Sequence, residues 1–284
     1  MDRPRIFLGS EALARGDVSE YELRRFHQAI LRDVYVEKPW TPTFHDRVVA
    51  AWLWSRRRGV IAGVAASALH GAQWVDVTHP VEMIWNNGRP PPGLVVRNDT
   101  LGRDEVMRVA GIPVTTPART AFDLGRRLPR DDAVARLDAL VAAVPSALRD
   151  VPTLVARYPG ARGVKALRVA LPLVDGGAAS PRETRLRLLF VDGGLPQPRT
   201  QLPVFDGQFY VRRLDMAWDD FLVAAEYDGD QHRTDRRQYA KDVRVKRTLD
   251  RLGWRVVYVI KEDSPADVLR VTRAALIARG WRPS

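Results

Sequence analysis

The stretch from Arg213 to His232, RLDMAWDDFLVAAEYDGDQH, places acidic side chains inside two otherwise apolar runs. It reads as strand, tight turn at Asp219-Asp220, strand. Asp215 stands in the first strand; Glu226 and Asp228 close the second, with Gly229, Gln231 and His232 following. A charge buried in a strand must be paired or must bind a metal. With a two-residue turn, Asp215 lies opposite Ala224, one diagonal step from Glu226, and the two carboxylates meet on one face. Glu226 and Asp228 share a face because strand side chains alternate. Carboxylate oxygens in such a cluster suit a hard cation such as Mg²⁺. Plainer readings stand beside this one: Asp228-Gly229 as a turn, surface ion pairs of the acids with Arg212 and Arg213, and Asp242 with Lys246 as an i,i+4 helix pair.

The surrounding segments predict one domain. Ser180 or Pro181 opens a helix, PRETRLRLLFVDGG, that ends at Gly193-Gly194. Strands follow over 197–205, 210–218 and 221–227, with Asp206-Gly207 as the first hairpin turn. A helix over 236–252, a strand over 255–260 and a helix over 265–279 complete the order. The small residues Gly176 to Ser180 mark the boundary in front of it.

Upstream, Gly9 to Ala14 reads as a short helix and Gly16-Asp17-Val18 as a turn. Ser19 with Glu22 forms a capping box for a second helix, SEYELRRFHQAIL, with Leu23, Phe26 and Ile30 on one face. Arg24, Arg25 and Gln28 then point elsewhere, toward solvent or DNA. LRDVYVEKP follows as a strand or wing. Helix, turn, helix, wing is a DNA-binding layout, and a small helical cap on the next domain is the alternative. The middle of the chain is mixed: helices over 46–54, 60–69, from 117, over 131–143 and within 158–174, and strands over 81–85 and 94–97 split by NNGRPPPG. His45, His70 and His79 lack metal-ligand spacing and read as ordinary histidines. Arg56-Arg57-Arg58 reads as a phosphate contact or a solvated helix end.

The chain of 284 residues carries 45 Lys+Arg against 34 Asp+Glu, a net charge of +11. Residues 181–284 hold 20 against 15, or +5, which leaves 25 against 19, or +6, for the remainder. The excess favours a polyanionic partner without marking one tail as its arm. The absence of cysteine excludes disulfides and thiolate metal sites. No apolar run reaches membrane-spanning length, and MDRPRIF lacks a signal-peptide core, so a cytoplasmic protein without a membrane partner is expected.

GSEALARGDVSEYELRR with RDVYV resembles the winged-helix start of AbiEi-type antitoxin regulators. RGVIAGVAASALHGA (58–72) and GIPVTTPARTAFDLGR (111–126) extend that resemblance through the middle region. SPRETRLRLLF, then RLDMAW, VAAEYDGDQH and KDVRVKRTLDRLGWRVVYV, resemble the Vsr-like (very-short-patch-repair-endonuclease-like) domain of the PD-(D/E)XK nuclease superfamily. The expected fold is therefore α/β (α+β). It has a winged-helix-like unit at 1–40, an AbiEi-like mixed region at 41–175, and a PD-(D/E)XK core at 179–284 built as helix, three-strand meander, helix, strand, helix. The second resemblance implies hydrolysis of DNA phosphodiesters with Mg²⁺, or Mn²⁺ in its place, held by Asp215, Glu226 and the helix carboxylate Glu183. Lysine belongs two residues after Glu226 in that superfamily, where this chain has Asp228. Lys246 or Lys241 of the next helix, or Gln231 or His232, could take the water-orienting role, or the centre is degenerate and the chain is a non-catalytic regulator or antitoxin. Arg236, Arg237, Arg244 and Arg247 are the expected phosphate contacts there, beside Arg24 and Arg25 at the N-terminus. The sequence leaves the oligomeric state open.

Overall fold

Side-chain caps at Ser19, Thr43, Thr116, Ser180 and Ser264 start five of the helices. The structure, a computed structural model, describes residues 5–86, 89–227 and 236–283. The chain divides into two compact units, Met1–Val169 and Ala170–Ser284. Among the described residues there are eleven α-helices and three sheets, a mixed α+β architecture.

The first unit opens with β1 (Phe7–Leu8), α1 (Gly9–Arg15), α2 (Glu20–Phe26), β2 (His27–Leu31) and β3 (Val34–Glu37). Gly16 ends α1 in the left-handed region at φ 72, which glycine adopts without a Cβ penalty. Ser19 and Glu22 form the expected capping box on α2. The helix predicted through Leu31 stops at Phe26. From His27 onward the chain pairs antiparallel with β3, turning at Asp33 with φ 65. Strand pairing here outweighs helix propensity, which is a weak prior. The expected stripe breaks accordingly: Leu23 is buried and Phe26 is exposed. The small sheet has the order β1-β3-β2. It packs Leu8 and Val34 against Ala50 and Leu53 of α3 (Phe44–Trp54).

A five-stranded sheet follows. It is built from β4 (Val60–Ile61), then, after α4 (Gly63–Leu69), β5 (Val81–Ile84), β6 (Leu94–Arg97), β7 (Val106–Val109) and β8 (Ile112–Thr115). Its order is β6-β5-β4-β8-β7. The single helix expected over 60–69 is instead a strand and a helix. Val60 and Ile61 join the sheet, and Gly63, at φ 55, starts the helix where a Cβ would meet the Glu82 carboxylate. α5 (Pro117–Arg127) starts at the Thr116 cap as predicted, followed by α6 (Arg130–Ala143), α7 (Val151–Arg157) and α8 (Val164–Ala170). Neither β7 nor α7 was read from the sequence; each is too short to show a period.

A buried ionic lattice ties α5 to its neighbours. Arg119, 2% exposed, donates to Glu105 and, at 3.0 Å, to Asp123. Arg126 and Arg127 reach Asp123 and Asp99, and Arg157 and Tyr158 donate to Glu105. Every buried carboxylate here has a guanidinium partner, which is the condition for burying charge.

The second unit runs α9 (Pro181–Asp192), β9 (Arg199–Asp206), β10 (Phe209–Trp218), β11 (Val223–Tyr227), α10 (Arg236–Arg251), β12 (Arg255–Val259) and α11 (Pro265–Ala278). The sheet order is β12-β11-β10-β9, an antiparallel meander joined by a parallel β12 through the α10 crossover. Side chains from α9 and α11 meet Met216, Trp218, Val223, Ala225, Val257 and Val259 on one side of the sheet. Leu249 and Trp254 meet Val204, Leu214, Ala217 and Ala224 on the other. One register expectation changes. The turn is a 3-10 segment, Asp219–Phe221, plus Leu222 at φ 50, so Trp218 pairs with Val223 and Met216 with Ala225. Asp215 thus stands level with Glu226, two residues from the expected partner Ala224.

Candidate functional site

Glu183 is held by the start of its own helix. The Ser180 hydroxyl accepts from Glu183 N at 3.2 Å; in return, Ala179 N donates to Glu183 Oε2 at 2.8 Å and the Ser180 hydroxyl to Oε1 at 3.0 Å. Gln201 of β9 reaches across, its Nε2 donating to Glu183 Oε2 at 3.1 Å. Tyr227 N donates to Asp215 Oδ2 at 3.1 Å, so Asp215 caps the end of β11. α9 and β10 thereby bring two acids into electrostatic reach of each other, with Gln201 of β9 on Glu183. Burial pushes both carboxyls above the usual carboxylate range, and the charge of Asp215 raises Glu183 further.

Glu226 completes no three-acid metal group with them. Ala225 packs on the α9–α11 side and Ala224 on the α10 side, so alternation turns Glu226 toward α10. There Arg212 Nη1 lies 3.1 Å from Glu226 Oε2. Burial raises Asp215, and the charge of the same guanidinium offsets part of that rise. Lys246 of α10 sits 4.0 Å over the ring of Tyr258, the strand partner of Glu226. Lys246 is therefore on the Glu226 side of the sheet.

Among the described residues, no group of three or more His, Asp or Glu is placed to hold a metal ion. Glu183 and Asp215 supply two hard oxygen donors, fewer than the three expected for Mg²⁺ or Mn²⁺. Asp228, Gln231 and His232 lie outside the described residues, and so do the side chains of Arg236 and Arg237. Lys241, Arg244, Lys246 and Arg247 are exposed on α10. Gln201, at φ 51, was not anticipated. Nothing in the local sequence TQLPVF marks an amide that will bond Glu183.

In the first unit, α2 shows solvent a different chemistry. Arg25 Nη1 donates to the Tyr21 hydroxyl at 2.9 Å, and its guanidinium lies 5.7 Å from the Tyr21 ring and 5.6 Å from that of Phe26. Arg24 pairs with Glu20 at 3.2 Å. Tyr21 is 63% exposed and Phe26 50%. α1, the Gly16–Val18 turn, α2 and the β2–β3 hairpin succeed each other as helix, turn, helix and wing. The nearby arginine triplet is partly spoken for: Arg56 binds Asp33 at 2.8 Å and Arg57 grips both oxygens of Glu11. His70 bonds the Thr115 carbonyl at 2.8 Å, and burial lowers its pKa, as an ordinary structural histidine. Among the described residues no helix is long and apolar enough to cross a membrane.

Residues 59–175 match the AbiEi antitoxin C-terminal domain. That span covers the five-stranded sheet and helices α4 to α8, including the ionic lattice. Two proteins from two strains of Mycobacterium tuberculosis, uncharacterized protein MT2308 and uncharacterized protein Rv2248, are each 36% identical to this chain over 191 residues. The alignment covers 67% of this chain and 69% of each relative. No solved structure matches the chain at a significant level. The chain belongs to the family of these two mycobacterial proteins, and its residues 59–175 are similar to the AbiEi antitoxin C-terminal domain.

Proposed function

We propose that the chain is a DNA-binding regulator of the antitoxin type, acting in the cytoplasm, with α2 as its reading helix. The observation that carries this is the AbiEi antitoxin domain at 59–175 directly behind a helix-turn-helix-wing unit. In such units the second helix enters the major groove. Arg24 and Arg25 suit phosphate oxygens or the O6/N7 edge of guanine. The contacts of Arg25 with Tyr21 and Phe26 hold its guanidinium in place before DNA arrives. Arg24 has to exchange its exposed pair with Glu20, a small cost because exposed pairs contribute roughly 0–1 kcal/mol.

Fluorescence anisotropy with duplex DNA from the region upstream of the chain's own gene tests this. Arg24→Ala with Arg25→Ala should weaken binding at least ~10-fold. Undiminished binding by the double variant would rule out α2 as the reader.

Metal-dependent nicking of DNA is the second reading, favoured by the convergence of Glu183 and Asp215 from separate elements. Supercoiled plasmid incubated with Mg²⁺ or Mn²⁺ decides it. Nicking that disappears in Asp215→Ala supports the reading; an intact plasmid with the wild-type protein removes it.

A further inference from the structure

The β9–β10 hairpin reaches beyond the sheet. β11 pairs with β10 at Met216–Trp218, whereas the pairing of β10 with β9 continues out to Phe209↔Asp206. One face of this ribbon, with Leu202, Val204, Val211 and Leu214, packs on the α10 side. The other face carries Pro203, Phe205, Tyr210 and Arg213, all exposed. Phe205 and Tyr210 are strand partners, their ring centroids 5.8 Å apart and the rings inclined at 72°. They are 52% and 59% exposed, and Phe209 at the tip is 71% exposed. Arg213 stands opposite Pro203, two residues along the same face from Phe205. Aromatic rings so placed on one short ribbon are not the scattered exposure that any surface shows.

We propose that this outer face is a stacking platform for the unpaired bases of a single-stranded nucleic acid. Phe205 and Tyr210 take the bases and Arg213 the backbone. Every base has a π face, so exposed rings beside a cation bind single strands with little regard to sequence. The charge around the rings is complementary to a polyanion. Arg213 is exposed, and the acid at the ribbon's tip, Asp206, is neutralised by an ion pair with Arg251. A protein strand adding to this edge is disfavoured. Pro203 has no N–H to offer, and Gln201 at φ 51 interrupts the extended backbone of β9. The platform lies in the second unit and is separate from duplex reading by α2, so the two fail independently.

The test uses the full chain with fluorescein-labelled oligothymidylate and oligouridylate of about 16 nucleotides, the upper site size of single-strand binding folds. Anisotropy measures affinity, and light scattering the oligomeric state. Phe205→Ala with Tyr210→Ala should weaken single-strand binding at least ~10-fold, since each stacked base is worth roughly 1–3 kcal/mol. Tyr210→Phe should retain it. Duplex binding should stay unchanged in the double variant, and Arg24→Ala should leave single-strand binding intact. Equal binding of the two oligonucleotides assigns recognition to the ring faces that both bases share, and a preference for one assigns part of it to the sugar or to the C5 methyl group that only thymine carries; both support the platform. Absence of single-strand binding by the wild type, or equal binding by wild type and double variant, overturns the proposal. So does a change in oligomeric state with no change in binding, which would make a second copy the occupant.

Discussion

Asp215 and Glu183 are acids that the fold holds at an energetic disadvantage. Burial raises the pKa of both above that of an unfolded carboxyl. The folded state therefore binds their protons more tightly than the unfolded state does. Their contribution to stability is complete below the unfolded pKa and is lost as pH rises through the folded value. Asp215→Asn removes that penalty while its amide oxygen still accepts from Tyr227 N. The variant should be more stable than wild type at pH 7, by about 1 kcal/mol, with the gain shrinking toward pH 4. Melting curves at the two pH values check it; a gain that does not shrink toward pH 4, or a loss at pH 7, would be the wrong sign. The acids of the ionic lattice behave in the opposite way when a partner is taken away. Arg119→Met leaves Glu105 and Asp123 short of a buried cation and should cost ~3–5 kcal/mol by urea unfolding; a loss under about 1 kcal/mol would mean that the lattice is redundant. Asp215 was legible as an oddly placed strand carboxylate, and the pairing of an acid with Arg212 was among the readings. Gln201 was not legible, because its role depends on a left-handed backbone and on an acid that comes from another element.

Helix starts were the most legible part of the elements. Ser19, Thr116 and Ser180 cap as their local sequences indicate, because a cap is satisfied within four residues. Ser19→Ala breaks the capping box of α2 and should cost about 1 kcal/mol. It should also weaken duplex binding, since the reading helix starts there; a melting temperature within error of wild type would show that α2 is held by packing instead. Helix ends and short strands were less legible. The α2 pattern runs on through Leu31 in sequence, but β3 claims His27–Leu31 as its partner. Val60 and Ile61 likewise belong to a sheet in which the partners of Ile61 lie 22 and 53 residues along the chain, at Met83 and Val114. No local window contains those partners.

For the molecule as a whole, the net charge of +11 predicts salt-sensitive DNA binding. The logarithm of the affinity should fall linearly with the logarithm of salt concentration. If Arg24 and Arg25 each neutralise a phosphate, replacing both by alanine should reduce the slope by about 2. A slope unchanged in the double variant would place the phosphate contacts elsewhere on the chain. The order of helices and strands in the second unit, the caps, the charge and the helix-turn-helix-wing succession were all present in the residues, since each depends on neighbours within a few positions. The face toward which Glu226 turns, the approach of Glu183 to Asp215, and the protruding aromatic ribbon came only with the fold. The first depends on which core the neighbours of Glu226 join, the second on contacts between α9 and the sheet, and the third on where β11 stops pairing. Each of these is set by packing between elements distant in sequence. The two-residue slip itself shows the difference: it changed the strand partner of Asp215 but kept the parity of its side chain, because the strand period is two.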